Sequence, residues 1–298
     1  MPAGKRSLEE SARPEPTAAE RGVGAVRDGP YCPWRQVIAV TSGKGGVGKS
    51  NLAASLSVLL SASGARVALV DADIGLGNLD VLMGVNGAPT LADVAAGQKL
   101  LEEVLVELPC GVHLAAGCTG PVAGNGSYAL WRSALLEGID RIRRRYAFVV
   151  LDCGSGIGTE VMDFCAAADQ VLVVTAPEPT AMTDAYAVIK SLSLRGLRAR
   201  VSVLVNFASG REEAKACQAR LASVAGQFLG RTIYDAGYVV ADSKVVSAVK
   251  GRRPFVLAYP RCPASRCLTA LASKMCPGSP LLNQKKTGLI GRIARWLR

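Results

Sequence analysis

Short apolar runs alternate with longer stretches of helical pattern along most of this chain. The runs are continuously apolar, which is typical of strands buried on both faces, and the stretches between them suit helices. Regular alternation of the two predicts an α/β fold: a doubly wound, mostly parallel sheet with helices on both faces. The predicted strands begin with the run from residue 36 and continue at 66–70, 112–116, 148–152, 171–176 and 201–206, and the predicted helices are 52–63, 129–144, 160–167 and 181–194.

The first apolar run breaks into a glycine-rich segment that ends in a lysine and a serine. This segment satisfies the pattern G-x-x-x-x-G-K-[ST], in which glycines let backbone N–H groups converge on phosphate oxygens at the start of a helix. We expect Lys49 to reach the outer phosphates and Ser50 to bind Mg²⁺. The alternative, a glycine-rich turn without a ligand, is disfavoured because a strand precedes the segment and a helix follows it. The predicted nucleotide-binding residues here are Gly43, Lys44, Gly45, Gly46, Val47, Gly48, Lys49, Ser50 and Asn51.

Polar side chains follow three predicted strands at the edge where ligands bind in open α/β sheets. We expect Asp152 to reach Mg²⁺ through water. Asp73 is expected to orient the water that attacks the terminal phosphate, because a loose phosphoryl-transfer transition state needs little base strength. Lys44 and Lys49 complete the predicted catalytic set by stabilising developing charge. Asn206 is expected to read a purine edge; for it and for Asp152 the alternative is a polar residue that ends a strand in a turn.

The glycine-rich segment carries an additional lysine, Lys44, that the minimal pattern does not require. The form K-G-G-x-G-K-[ST] resembles the deviant Walker A loop of the MinD/ParA group of ATPases. In that group the early lysine reaches the phosphates of the partner subunit, so the resemblance implies a protein that dimerises when it holds ATP. By motif position the resemblance also implies the roles given above for Lys49, Ser50, Asp73, Asp152 and Asn206.

Two further segments resemble one branch of this group. Residues 71–84, DADIGLGNLDVLMG, are similar to the switch segment shared by MinD and its flagellar relatives. Residues 175–190, TAPEPTAMTDAYAVIK, are similar to the segment typical of the flagellar-number regulators FlhG/FleN, also called YlxH. The resemblance runs from about residue 37 to residue 254. It implies a MinD-like ATPase that limits flagellar number or placement, with a signal-recognition-type GTPase (FlhF) and flagellar basal-body components as partners.

This chain departs from the family pattern in two places. The short D-Q-A-x-x-L-R element that engages the GTPase is not found in residues 1–35, so stimulation of FlhF is not predicted. The family's Ile-Pro-x-Asp is Val239-Val240-Ala241-Asp242 here, which leaves the geometry at the nucleotide base open. A division-site-placing MinD and a ParA-type DNA-partitioning ATPase remain alternatives. A non-hydrolysing scaffold is disfavoured because both lysines and both key carboxylates are present.

Positive charge is concentrated in the last fifth of the chain. The net charge is +11, and residues 243–298 contain 12 Lys/Arg and no Asp/Glu, so residues 1–242 sum to +11 − 12 = −1. This asymmetry predicts a polyanionic partner, either the inner membrane leaflet or nucleic acid.

The last fourteen residues, KKTGLIGRIARWLR, have the pattern of a basic amphipathic helix that anchors in the membrane plane. The alternative is a terminal helix packed on its own domain. Nucleic acid is not the expected partner, because DNA binding does not need an amphipathic tail with a tryptophan. The predicted membrane contacts are Leu289, Ile290, Ile293, Trp296 and Leu297 together with Lys285, Lys286, Arg292, Arg295 and Arg298.

Composition predicts four segments: a disordered tail over residues 1–35, an ATPase domain over 36–276, a linker over 277–284 and the amphipathic helix over 285–298. No apolar run approaches the roughly 18 to 20 residues that cross a bilayer, and residues 1–30 lack the apolar centre of a signal peptide. We therefore expect a cytoplasmic protein, peripheral on the cytoplasmic face of the inner membrane. The nine cysteines are expected to be reduced thiols.

Overall fold

The computed structural model describes residues 35–73, 77–117 and 127–277. The predicted N-terminal tail, the linker and the amphipathic helix fall almost wholly in residues 1–34 and 278–298, outside the described residues. Those boundaries, and the membrane contacts assigned to the last helix, therefore stay predictions.

One sheet of eight strands forms the centre of the described domain. Its strands lie in the order β3-β4-β2-β5-β1-β6-β7-β8, and every adjacent pair is parallel except β3 with β4. The first strand thus lies in the interior of the sheet, between β5 and β6. The strands are β1 (Gln36–Ser42), β2 (Val67–Ala72), β3 (Val106–Glu107), β4 (Val112–Ala115), β5 (Phe148–Ser155), β6 (Gln170–Thr175), β7 (Arg200–Ala208) and β8 (Tyr234–Val240).

Ten α-helices are found in the described residues, with a short 3₁₀ turn at Leu101–Glu103. Most connect one parallel strand to the next, as a doubly wound fold requires. They are α1 (Lys49–Ala62), α2 (Leu79–Met83), α3 (Leu91–Ala95), α4 (Ser127–Ile142), α5 (Thr159–Ala167), α6 (Pro179–Leu194), α7 (Arg211–Leu229), α8 (Ser243–Lys250), α9 (Phe255–Ala258) and α10 (Pro263–Met275).

Two hydrophobic clusters cover the two faces of the sheet. Ile38 packs with α1 and α10 in one cluster, and its neighbour Val37 packs with α4, α5 and α6 in the other. The second cluster contains Trp131 and Phe164, whose rings meet edge to face at 5.7 Å. Burial on both faces explains why these strands are continuously apolar in the sequence.

The predicted α/β architecture is confirmed, with small differences at the ends of elements. Helix α1 begins at Lys49, earlier than the apolar pattern alone indicates, because the glycine loop feeds directly into it. Strand β5 continues beyond Asp152 to Ser155, since it stays paired with β1 as far as Ser42. Asp152 therefore lies inside the strand, whereas the sequence pattern predicts it at the end of the strand.

Within the part of the chain that the structure describes, no helix is long and apolar enough to cross a membrane. Seven of the nine cysteines are in these residues, and all seven are free thiols.

Candidate nucleotide site

Three glycines are required in the loop between β1 and α1, and one of them, Gly46, is required by its left-handed φ of 81°. Gly48 has φ 86°, in the left-handed region, and a Cβ there would lie 2.5 Å from the amide nitrogen of Asn206. A Cβ on Gly43 would lie 2.2 Å from the backbone carbonyl of Asp184 in α6. Gly48 is thus required both by its backbone conformation and by the lack of space for a side chain, and Gly43 is required by the close packing of α6.

Two side chains hold the loop in shape from outside its glycines. The hydroxyl of Ser42 donates to the carbonyl of Lys44 at 2.9 Å. The side-chain amide of Asn206, which is buried, donates to the carbonyl of Val47 at 2.8 Å. The structure therefore gives Asn206 a role in shaping the loop that the sequence did not indicate. Its contact with a purine stays a prediction.

Lys49, the first residue of α1, is held between two carboxylates. Its ammonium donates to Asp152 Oδ1 at 2.9 Å and lies 3.6 Å from Asp73 Oδ2. It also donates to the hydroxyl of Ser50 at 3.4 Å. Burial alone lowers the pKa of Lys49, but the charge of Asp152 and the hydrogen bond to it raise the pKa above its ordinary value. The lysine is therefore a cation at every physiological pH.

Asp152 is almost fully buried. Burial raises the pKa of its carboxyl group, and the charge of Lys49 and hydrogen bonds from Ser50 and Lys49 oppose that rise. The nearby carboxylate of Asp73 is more exposed, at 27%. The structure thus brings together Lys49, Ser50, Asp73 and Asp152 at one end of the sheet, as the motif positions indicate.

Asp71 is a third carboxylate at this end of the sheet, and the sequence assigned no role to it. It lies directly opposite Asp152 in the pairing of β2 with β5 and is 2% exposed. Burial, followed by the charge of Asp152, raises the pKa of the Asp71 carboxyl to about 7. The sequence held two signals for it: its position in Asp71-Ala72-Asp73, two residues before the predicted water-orienting carboxylate, and its place at the start of the segment 71–84 that resembles the family's switch segment.

Lys44 lies apart from this cluster. Its ammonium donates to Glu178 Oε2 at 3.0 Å, and both side chains are substantially exposed. Glu178 immediately precedes α6 and is a second residue to which the sequence assigned no role.

Two more side chains lie beside the loop. The side-chain oxygen of Asn51 is buried and has no hydrogen-bond partner among the described residues. Phe207 follows Asn206, is 44% exposed, and has φ 57°, a left-handed conformation that is rare for an aromatic residue. The Cζ atom of its ring is 3.5 Å from the position that a Cβ on Gly48 would occupy. An exposed ring beside the loop is a flat apolar surface next to the phosphate-binding amides.

The residues predicted to bind Mg²⁺ fit that ion. Ser50 and Asp152 offer oxygen atoms, the donors that Mg²⁺ prefers, and both side chains accept a hydrogen bond from the ammonium of Lys49. No cluster of three or more His, Cys, Asp or Glu residues that could hold a metal ion occurs in the described residues, this site included.

Comparison with known proteins agrees with this geometry. Residues 34–275 match the family described as ParA, NUBPL iron-transfer P-loop NTPase. The antiactivator FleN of Pseudomonas aeruginosa is 39% identical over 240 residues, which are 80% of this chain and 86% of FleN. The flagellum site-determining protein YlxH of Helicobacter pylori is 38% identical over 190 residues, 63% of each chain.

Solved structures of MinD share the fold. The cell division ATPase MinD of Pyrococcus furiosus superposes with a TM-score of 0.68 at 24% identity, over 80% of this chain and 98% of that one. The septum site-determining protein MinD of Pyrococcus horikoshii, complexed with Mg-ADP, gives 0.69 at 24% identity, over 84% and 99%. At these identities the likeness establishes the architecture alone.

Proposed function

Because this chain belongs to the ParA family of P-loop NTPases, we propose that it is a MinD-like switch that binds and hydrolyses ATP and acts in the control of flagellar number or placement. The flagellar assignment is supported by FleN, which is named an antiactivator, and by YlxH, which is named flagellum site-determining. MinD relatives match a smaller share of the chain, for example 52% for the protein of Nephroselmis olivacea. Division-site placement is therefore the second candidate.

A single observation carries the ATPase proposal: the ammonium of Lys49 at the start of α1, behind the glycine loop and between Asp152 and Asp73. A cation in that position stabilises the charge that develops on the transferred phosphoryl group. Asp73, the more exposed carboxylate, accepts a hydrogen bond from the attacking water and orients it. Mg²⁺, held by Ser50 and through water by Asp152, supplies charge neutralisation when bound.

ATP-dependent dimerisation is the second part of the proposal. Lys44 is half exposed, and its ion pair is with Glu178 rather than with Asp73 or Asp152, so it is available to a second subunit. In the proposed dimer it leaves Glu178 and reaches the partner's phosphates. Hydrolysis then removes the ligand that holds the two subunits together.

The third part concerns the membrane. Residues 285–298 serve as an in-plane anchor on the anionic cytoplasmic face of the inner membrane. An FlhF-like GTPase and basal-body components are the proposed protein partners.

The test of the ATPase switch is Asp73→Ala. The variant is expected to lose hydrolysis, since no carboxylate orients the water, and to remain dimeric with Mg²⁺ and ATP. Phosphate release and light scattering measure the two properties, with Glu212→Ala, an exposed acidic residue of α7, as the control. Hydrolysis at the normal rate in Asp73→Ala would contradict the assignment of Asp73 as the residue that orients the water.

A further inference from the structure

Asp71 uses both of its carboxylate oxygens to hold backbone amides on the two sides of one short segment. The N–H of Asp73 donates to Oδ1 at 3.3 Å, and the N–H of Leu79, the first residue of α2, donates to Oδ2 at 3.0 Å. Residues 73 and 79 are the two ends of the segment that begins with the proposed water-orienting carboxylate. The carboxylate of Asp71 therefore ties both ends of this segment to the sheet.

Two glycines make room for the carboxylate. A Cβ on Gly77 would lie 2.7 Å from Asp71 Oδ2, and a Cβ on Gly117, just after β4, would lie 2.9 Å from Asp71 Cγ. Neither glycine has a left-handed φ. The close approach to Asp71, rather than backbone conformation, is what requires glycine at both positions.

Stability alone is a poor reason for a carboxylate at this position. Among the described residues, no lysine, arginine or histidine lies within ion-pair distance of Asp71. Removing an acidic group from water costs free energy when no cation lies beside it, and an apolar side chain of similar size would not incur this cost. What the carboxylate supplies, and an apolar side chain does not, is a pair of acceptors for the amides of residues 73 and 79.

We propose that Asp71 is a positioning residue for Asp73. It fixes the backbone of Asp73 from inside the sheet, so that the Asp73 carboxylate stays 3.6 Å from the ammonium of Lys49. From the other side, Asp73 Oδ1 lies close to β5, where a Cβ on Gly154 would approach it to 3.2 Å. The catalytic consequence rests on the proposed ATPase function, whereas the hydrogen-bond arrangement does not.

The first experiment measures the two amides directly. Hydrogen exchange of the Asp73 and Leu79 amides, followed by NMR, is expected to be roughly fivefold faster or more in Asp71→Ala, since each amide loses its acceptor. In Glu212→Ala, which changes an exposed acidic residue of α7, both rates should be unchanged, because the acceptor of both amides is Asp71. Unchanged exchange of both amides in Asp71→Ala overturns the proposal, whether or not the protein hydrolyses ATP.

The second experiment separates positioning from simple stabilisation. A misplaced Asp73 is expected to lower kcat about ten- to a hundredfold in Asp71→Ala, with little change in KM for ATP. Asp71→Asn keeps one acceptor oxygen and should fall between the wild type and Asp71→Ala. A purely structural role would lower the thermal unfolding temperature but leave the kcat of the folded protein unchanged, and that result overturns the proposal.

A glycine variant tests the same arrangement without changing Asp71. Gly117→Ala is expected to displace the carboxylate and to reduce kcat, whereas Gly226→Ala, in open space on α7, should not. In the double variant Asp71→Ala/Gly117→Ala the losses should not add, because the added methyl group no longer meets a carboxylate. Fully additive losses would contradict the proposal. A wild-type protein without ATPase activity would refute the proposed function, and the amide exchange would still decide the role of Asp71.

Discussion

The ammonium of Lys44 and the carboxylate of Glu178 form an ion pair at 3.0 Å within one subunit. The two side chains are 43% and 63% exposed, and pairs in such surroundings contribute only about 0 to 1 kcal/mol. The lysine that is proposed to cross the dimer interface is therefore held in its own subunit, but weakly. Such a pair orients Lys44 without preventing its transfer to a phosphate.

Removing the charge of Glu178 is expected to favour the dimer slightly. In Glu178→Gln, Lys44 no longer has an ion pair to break. Because the dimer breaks two such pairs, one in each subunit, the protein concentration at half-dimerisation with Mg²⁺ and ATP should fall by no more than about 30-fold. Light scattering over a concentration series measures this shift, and Glu160→Gln, an exposed residue of α5, is the control. Weaker dimerisation in Glu178→Gln would instead place Glu178 among the groups that stabilise the dimer.

The two lysines of the loop are expected to fail in different ways. Lys49→Ala should abolish nucleotide binding, since Lys49 lies at the start of α1 beside Ser50 and Asp152. Lys44→Ala should bind a fluorescent ATP analogue with nearly normal affinity but neither dimerise nor hydrolyse ATP. Equal loss of nucleotide affinity in both variants would contradict the role of Lys44 in trans.

Stability has to be measured beside affinity for Lys49. Removing one partner of a buried ion pair destabilises a protein by about 3 to 5 kcal/mol, because the other charge is left uncompensated. Lys49→Gln, which retains a hydrogen-bond donor for Asp152, is therefore a second variant. Loss of nucleotide binding in a folded Lys49→Gln protein separates the contact with phosphate from the effect on folding.

Phe207 is expected to support the nucleotide base. A non-glycine residue in the left-handed region is strained by about 1 to 3 kcal/mol, and such strain is commonly found at ligand sites. Stacking of a base on an aromatic ring contributes roughly 1 to 3 kcal/mol, so Phe207→Ala should weaken ATP binding about tenfold. Phe228→Ala, which removes a 66% exposed ring at the far end of α7, is the control. Equal affinities for wild type and Phe207→Ala would show that the ring does not contact the base.

Membrane binding is expected to depend on ATP through valency. The five Lys/Arg of residues 285–298 contribute at most about 5 kcal/mol at an anionic surface, and burying the apolar face adds a few more, less the entropy of ordering the tail. One tail should thus bind weakly, and two tails on one dimer should raise avidity on the order of 10²- to 10⁴-fold.

Flotation with anionic liposomes tests this prediction. Wild type with ATP is expected to float, whereas wild type with ADP, Ile293→Glu and a truncation after Leu282 should remain at the bottom. Flotation regardless of nucleotide would contradict the proposed ATP-dependent switch. Flotation of the truncated protein would also contradict the proposed membrane anchor. Co-sedimentation with DNA in the absence of flotation would support a DNA-partitioning ATPase instead.

The architecture and the family can be predicted from the sequence because both depend on local patterns of residues. Buried parallel strands need unbroken apolar runs, and the phosphate loop needs glycines at fixed spacings before Lys49, so both are visible without the fold. The family prediction is confirmed by the match over residues 34–275. Strand β8 and helix α7 were not predicted, because mixed apolar and polar residues in β8 and many charged residues in α7 give a weaker pattern.

Contacts between distant residues could not be predicted in the same way. Glu178 is 134 residues from Lys44, and Asn206 is 159 residues from Val47. The environment of Asp71 is assembled from β2, the start of α2 and the residue after β4, so its two amides and two glycines converge only in the folded chain.

The ion pair of Lys49 with Asp152 turns nucleotide binding into an exchange reaction. A phosphate that enters the loop competes with the buried carboxylate of Asp152 for the ammonium of Lys49. The measured affinity for the phosphate is therefore reduced by the free energy needed to break this ion pair. A ligand that brings Mg²⁺ gives the displaced Asp152 a new counter-charge, whereas a lone sulfate or inorganic phosphate does not. The loop is therefore expected to discriminate against simple anions, even though its backbone amides are suited to any of them.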